Sequence, residues 1–281
     1  MFSIAEYSAP SRPRRASDYE VRSVRKAMEI LCAFTPETPL WTLTEFSLKL
    51  KIPKSTALNL LRTLERFDLI TKDPGDNHYH LGLRIFQLSP LLSQNAKLVM
   101  NAQPHLRLLA EQTGETVKLG TLWNGHVLIL DAIESKFALH TRGDKGCLSA
   151  IHSTGLGKAV LAKMDIGLRQ VLGQRRLKKF TDHTITAPKL LEHEVARVQS
   201  AGYALDREES EVGVHCIAAT IPTPDGWPPA AVSISGPSDR FGQNAIEKFV
   251  PFTIAAGRAI SASLVGPLRS TKRTSQNRSN M

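Results

Sequence analysis

Cysteine is scarce in this chain of 281 residues; the three present, Cys32, Cys147 and Cys216, lie far apart. An odd, scattered set builds neither a disulfide framework nor a metal finger, and it suits a reducing cytoplasm. Aromatic residues make up only 6% of the chain, and no apolar run approaches membrane-spanning length. The N-terminal segment has no apolar secretory core. Signatures of catalysis are thin too. There is no G-x-S-x-G elbow. His193-Glu194-Val195-Ala196-Arg197 lacks the second histidine of a zinc-protease helix. Gly155-Leu156-Gly157-Lys158 is followed by Ala159 and lacks the earlier glycine of a phosphate loop. Cys216 beside His215 makes no nucleophile pair, because strand neighbours point to opposite faces. The 9 histidines show no ligand spacing, so neither a metal nor a cofactor is implied. A small-molecule-processing enzyme and a metal sensor are the rival readings to the one that follows.

What is present is a globular, basic chain: 42% hydrophobic residues, net charge +10 and pI ≈ 9.7. The charge is spread out. Residues 1–85 carry +3, residues 86–265 carry +3 and residues 266–281 carry +4. An anionic partner is suggested, but a local pattern has to identify it.

That pattern lies between Trp41 and Leu69. In Thr42-Leu43-Thr44-Glu45 the threonine can cap a helix while the glutamate reaches back to the cap amide. Pro53 suits the start of a second helix. There, Ala57, Leu60, Leu61 and Leu64 follow i, i+3, i+4, i+7, the spacing of a buried stripe. Ser55, Asn59, Arg62 and Arg66 fall on another face. Lys54, Ser55 and Thr56 stand at the N-terminus, where amides and dipole favour a phosphate. Such a helix suits a DNA major groove. Next, Leu69–Lys72 reads as a strand, Asp73–Asn77 as a turn and His78–Leu81 as a returning strand. A hairpin after a recognition-like helix makes a winged helix-turn-helix, with Lys72 and the turn placed to touch the DNA backbone or minor groove.

Further along, Val21 to Phe34 reads as a helix burying Val24, Ala27, Met28, Leu31 and Ala33-Phe34, with Cys32 as a small core residue. Leu83–Leu92 and Ala96–Thr113 read as connector helices, bent near Pro104. From Thr116 the period becomes that of strands, with Asn124-Gly125 as a hairpin turn. Phe137–Thr141, Val214–Ile221 and Ala230–Ser235 read as strands. Arg175–Lys179 reads as a solvated loop, and Lys189–Ala201 and Ala245–Leu264 as helices.

The chain resembles the IclR-type family of bacterial transcriptional regulators over roughly residues 21–265. Its landmarks include Pro53-Lys54-Ser55-Thr56, His80-Leu81-Gly82, Thr113-Gly114-Glu115-Thr116-Val117, His152-Ser153-Thr154-Gly155-Leu156-Gly157-Lys158-Ala159, Gly213-Val214-His215-Cys216 and Ser233-Ile234-Ser235-Gly236-Pro237. Each is weak alone; together, in the family's order, they are specific. Leu58 departs from the family, which often has a polar or aromatic residue there.

The resemblance implies an α+β architecture: a disordered arm (1–19), a winged helix-turn-helix (20–82), a linker helix (83–103), a GAF-like effector-binding domain with a curved antiparallel sheet (104–266) and a disordered basic tail (267–281). It implies a cytoplasmic homodimer or homotetramer on a pseudo-palindromic double-stranded operator, tuned by a small organic acid, with no membrane partner. DNA contacts would come from Lys54, Ser55, Thr56, Asn59, Arg62, Arg66 and Lys72. Effector contacts would come from Gly155 and Leu156, where glycines let amides approach a carboxylate, and from Asp206, Val214, Cys216, Ser233 and Ser235 opposite. Cys147 and His152 are candidates for the same wall, with core packing and a structural hydrogen bond as their alternatives. Asp206 either accepts a ligand hydroxyl or anchors a turn.

Overall fold

The structure is a computed structural model that describes residues 20–35, 38–91, 93–164 and 176–265. The expectations for the arm, the tail and Arg175 fall outside these residues.

The N-terminal unit holds three helices, α1 (Arg22–Leu31), α2 (Leu43–Leu50) and α3 (Lys54–Arg66), and a two-stranded wing, β1 (Ile70–Lys72) and β2 (Tyr79–Leu81). The capping box forms: the Glu45 amide donates to Thr42 Oγ1 at 3.3 Å, and the Thr42 amide donates to Glu45 Oε2 at 2.6 Å. Lys51, at φ 53°, turns the chain from α2 toward α3. One core joins Ile30, Phe34, Phe46, Leu50, Leu61, Leu64, Ile70 and Tyr79, with Trp41 stacked on Phe46. α1 is shorter than expected and rotated. It buries Ile30 and leaves Val24 and Met28 exposed, because Ala33 and Phe34 past its end supply the core contact. Cys32, expected in the core, is exposed. Asp73 and Asp76 side chains cap the amides of Gly75 and His78 in the wing turn.

A short helix, α4 (Leu83–Leu88), and a 3₁₀ turn lead into α5 (Ser93–Thr113), which runs through Pro104 without ending. Leu98, Ala102, Leu106 and Leu109 of α5 are buried in the core of the second domain. That domain is a curved six-stranded sheet in the order β5-β4-β3-β8-β7-β6, antiparallel throughout. Its strands are β3 (Thr116–Trp123), β4 (His126–Ile133), β5 (Leu148–Ser149), β6 (Tyr203–Arg207), β7 (Val214–Ile221) and β8 (Ala230–Pro237). Asn124 and Gly125, at φ 50° and 77°, make the two-residue turn between β3 and β4. A bulge opposite Leu119 and Gly120 bends that hairpin.

Both faces of the sheet are covered. α5 and α8 (Gln243–Leu264) bury Val117, Leu119, Ile217, Val232 and Ile234 on one side. On the other, α6 (Gly155–Leu161) and α7 (Pro188–Ala201) cover Val127, Ile129, Ala204, Ala218 and Ala231. Phe137–Thr141 is not a strand. Its polar groups are bound elsewhere: Arg240 donates to the Leu139 carbonyl, and Thr116 Oγ1 to that of Thr141.

Adjacent residues of α3 separate packing from surface. Leu61 is fully buried and Arg62 is exposed. Leu61→Ala is expected to lower stability by ~2–4 kcal/mol, whereas Arg62→Ala should stay within ~0.5 kcal/mol of the parent, both by chemical denaturation.

Candidate functional site

The first candidate surface is the outer side of α3. Ala57, Leu61 and Leu64 turn inward, so Ser55, Asn59, Arg62 and Arg66 point to solvent, as do Lys54 and Thr56 in the first turn. Among the described residues none of Lys54, Arg62 and Arg66 makes an ion pair. These cations stay available to an external anion. Lys72 differs: it is half-buried, its ammonium 5.9 Å from the centre of the Tyr79 ring. The structure brings six of the seven expected DNA contacts to one open surface and lays the seventh along the wing.

The second is a cavity of about 650 Å³ on the α6 side of the sheet. Along β6, β7 and β8 the pairs Ala204 and Asp206, Ala218 and Cys216, and Ala231 and Ser233 share a face, because they lie two apart. The apolar floor under α6 therefore continues into a polar floor of Asp206, Cys216, Ser233 and Ser235, where the covering helix ends. Val214 and Leu156 complete the expected part of the wall. Ser235 Oγ is 2.7 Å from Thr141 Oγ1, and the Thr141 hydroxyl reaches the Ser235 carbonyl at 3.1 Å. These bonds hold the 139–144 segment over the floor.

Asp206 anchors a turn. Its carboxylate accepts from the Glu209 amide at 2.7 Å and the Ser210 hydroxyl at 2.5 Å. Burial raises its pKa above the usual carboxylate value. Burial also pushes the Cys216 thiol up to about 12, so it stands neutral and inert as a nucleophile.

Three expected residues lie outside the cavity wall. His152 Nε2 donates to the Lys178 carbonyl at 2.9 Å and its ring lies against Phe180; burial lowers its pKa, which keeps the ring neutral. Cys147 is buried, and its carbonyl accepts from the Ile129 amide. Gly155 packs behind the wall, where an added Cβ would meet Cys216 Sγ at 3.0 Å; at Gly157 it would meet the Ile151 carbonyl at 2.3 Å. Both glycines permit this close packing. Thr154 Oγ1 takes the Gly157 amide, and the Leu156 amide faces the Cys216 sulfur.

The wall also includes residues the motifs did not mark: Lys118, Ile129, Leu139, Thr141 and Arg142. One signal was available for Lys118, a charge in the middle of a strand otherwise buried on both faces.

Behind the cavity lies an ionic cluster. Lys158 on α6 is fully buried; its ammonium binds Glu209 and lies 3.4 Å from Glu194, which Arg197 grips through both oxygens. Burial pushes Glu209 up to about 7 against the pull of Lys158. Among the described residues no three metal-ligating side chains come together, and no helix is long and apolar enough to cross a membrane.

Two family models match. Residues 23–74 match the IclR helix-turn-helix domain, and residues 92–262 match the model described as bacterial transcriptional regulator IclR C-terminal. The chain is 34% identical over 242 residues to the HTH-type transcriptional regulator BhcR of Paracoccus denitrificans, covering 86% of each chain. It is 31% identical over 245 residues to KdgR of Escherichia coli, covering 87% of this chain and 93% of the other. Among solved structures, Thermotoga maritima IclR superposes with a TM-score of 0.70 at 28% identity, covering 86% of this chain and 98% of that one. An IclR homolog from Microbacterium hydrocarbonoxydans, complexed with 4-hydroxybenzoate, superposes at 0.78 with 23% identity over 86% of this chain and 98% of that one. The relatives are named regulators, not enzymes.

The Glu209 cluster makes a pH prediction. The folded chain holds this proton more tightly than the unfolded chain. The stability it contributes is complete below the ordinary glutamate value of 4.5 and is lost as pH rises through about 7. Denaturant unfolding at pH 5.5 and pH 8 should show the greater part of this loss, up to ~2 kcal/mol. Glu209→Gln should flatten it.

Proposed function

The chain belongs to the IclR family of bacterial transcriptional regulators, and from that premise we propose how it works. Residues 20–82 read DNA, residues 83–103 connect, and residues 104–266 sense a small organic acid in the cytoplasm. The observation that carries this reading is the open face of α3: Ser55, Asn59, Arg62 and Arg66 unburied and in line, with Lys54 and Thr56 placed for a phosphate. The cavity, with its hydroxyl-rich floor, is the effector site. The 4-hydroxybenzoate in the Microbacterium hydrocarbonoxydans homolog supports a small, partly apolar acid as its occupant.

The operator is pseudo-palindromic because the protein acts as a homodimer, or as two dimers together. Val21 just before α1, Val24 and Met28 on it, and Leu83, Phe86, Leu88 and Leu91 in the connector are exposed apolar side chains. A second copy would cover them. Effector occupancy changes how the sensing domains pair, and α5 carries that change toward the recognition helices.

Three substitutions test the division of labour on the promoter fragment beside the protein's own gene, by fluorescence anisotropy at fixed salt. Arg62→Ala should weaken DNA binding by ~1–3 kcal/mol and leave effector affinity unchanged. Ser235→Ala should do the reverse. Lys54→Ala should lower the slope of log affinity against log salt by about 1. If Arg62→Ala and Ser235→Ala damage the same activity equally, the reading is wrong.

A further inference from the structure

Lys118 stands on β3, a central strand of a sheet covered on both faces. Val117 and Leu119 beside it are fully buried against α5 and α8, so the lysine takes the opposite face, beside Ser233 of β8. It is half-buried and lines the cavity. An ammonium there is costly unless an opposite charge compensates it.

No described carboxylate lies within ion-pair distance of it. Among the described residues, the Lys118 ammonium makes neither an ion pair nor a hydrogen bond. None of the acids that line the cavity pairs with it. Asp206 is held by the Glu209 amide and by Ser210, Asp144 lies 3.5 Å from Arg142, and Glu211 is exposed. The Cys216 thiol, on which the Lys118 charge acts, is neutral. The floor thus carries an ammonium with no ion pair, beside the Ser233 and Ser235 hydroxyls and the Asp206 carboxylate, with Ile129, Leu139, Leu156 and Val214 as apolar walls.

We propose that Lys118 is the residue that makes the effector an anion: its ammonium holds the effector's carboxylate from the sheet floor, while the body of the acid lies on the apolar walls. This rests on the cavity being the effector site. It puts an anchor on the sheet; on α6 the Gly157 amide is already taken by Thr154.

The test uses the full-length protein, Lys118→Met and Lys118→Arg. The probes are matched pairs of small acids and their amides: acetate and acetamide, lactate and lactamide, benzoate and benzamide, 4-hydroxybenzoate and 4-hydroxybenzamide. Thermal shift and calorimetry give binding. At least one acid should raise the parent's Tm while its amide does not. Lys118→Met should weaken that acid by at least about tenfold, and Lys118→Arg should keep most of the affinity. Without ligand, Lys118→Met should be at least as stable as the parent, because an unpaired charge has been removed. The proposal is overturned if no acid binds the parent, if amides bind it as well as acids do, if Lys118→Met binds acids undiminished, or if that variant alone is clearly less stable. Promoter retention separates this idea from the one beneath it. Acids that bind through Lys118 without changing retention leave the anchor standing and remove the effector reading. Retention that responds to a neutral compound, undiminished in Lys118→Met, removes the anchor and leaves the effector reading standing.

Discussion

Leu98, Ala102, Leu106 and Leu109 lie almost free of solvent against the back of the sensing sheet, on one helix that begins just past the wing and its connector. This packing ties the two halves of the chain together. Each of these side chains buries apolar surface worth roughly 1.5–3 kcal/mol, Ala102 less. A helix held this firmly moves with the sheet it covers. The front of that same sheet forms the cavity floor, so a change in how the sheet packs reaches α5 directly.

The covered sheet also explains where the polar chemistry sits. Ser233, Ser235, Cys216 and Lys118 lie where the apolar floor emerges from beneath α6, and the 139–144 segment closes over them. That segment is clasped from several sides. Arg240 binds both oxygens of Glu115 and the Leu139 carbonyl, and Lys145 and Gln103 both reach Asp131. Gln103 is on α5 and Lys145 follows directly on the cover, so the connector helix and the chain next to the cover share one carboxylate. At the opposite wall, Lys158 joins α6 to the turn that Asp206 anchors. Cavity walls and connector are thus mechanically continuous through named polar contacts, the kind of network in which one binding event biases another.

Much of this was legible in the sequence wherever the signal is local. The Thr42–Glu45 box, the α3 stripe and the Asn124-Gly125 turn depend on residues a few positions apart, and each forms as read. The shared face of Ser233 and Ser235 follows from strand period alone. Legibility fails where distant chain decides. Phe137–Thr141 alternates like a strand, yet its bonds go to Thr116 and Arg240. Val24 and Met28 have helical spacing, but Ala33 and Phe34 take their place in the core. His152, Cys147 and Gly155 adjoin the cavity wall in sequence without facing the cavity. Lys118, Thr141 and Arg142 reach it from segments with no motif of their own.

The central claim is that cavity and recognition helix are coupled, and thermodynamic reciprocity tests it most directly. A cavity ligand would be titrated into the protein alone and into the protein saturated with its operator. The account predicts that the ligand's Kd differs between the two by the same factor, roughly 5–150-fold, by which the ligand changes the operator's Kd. An identical ligand Kd with and without bound operator would contradict it.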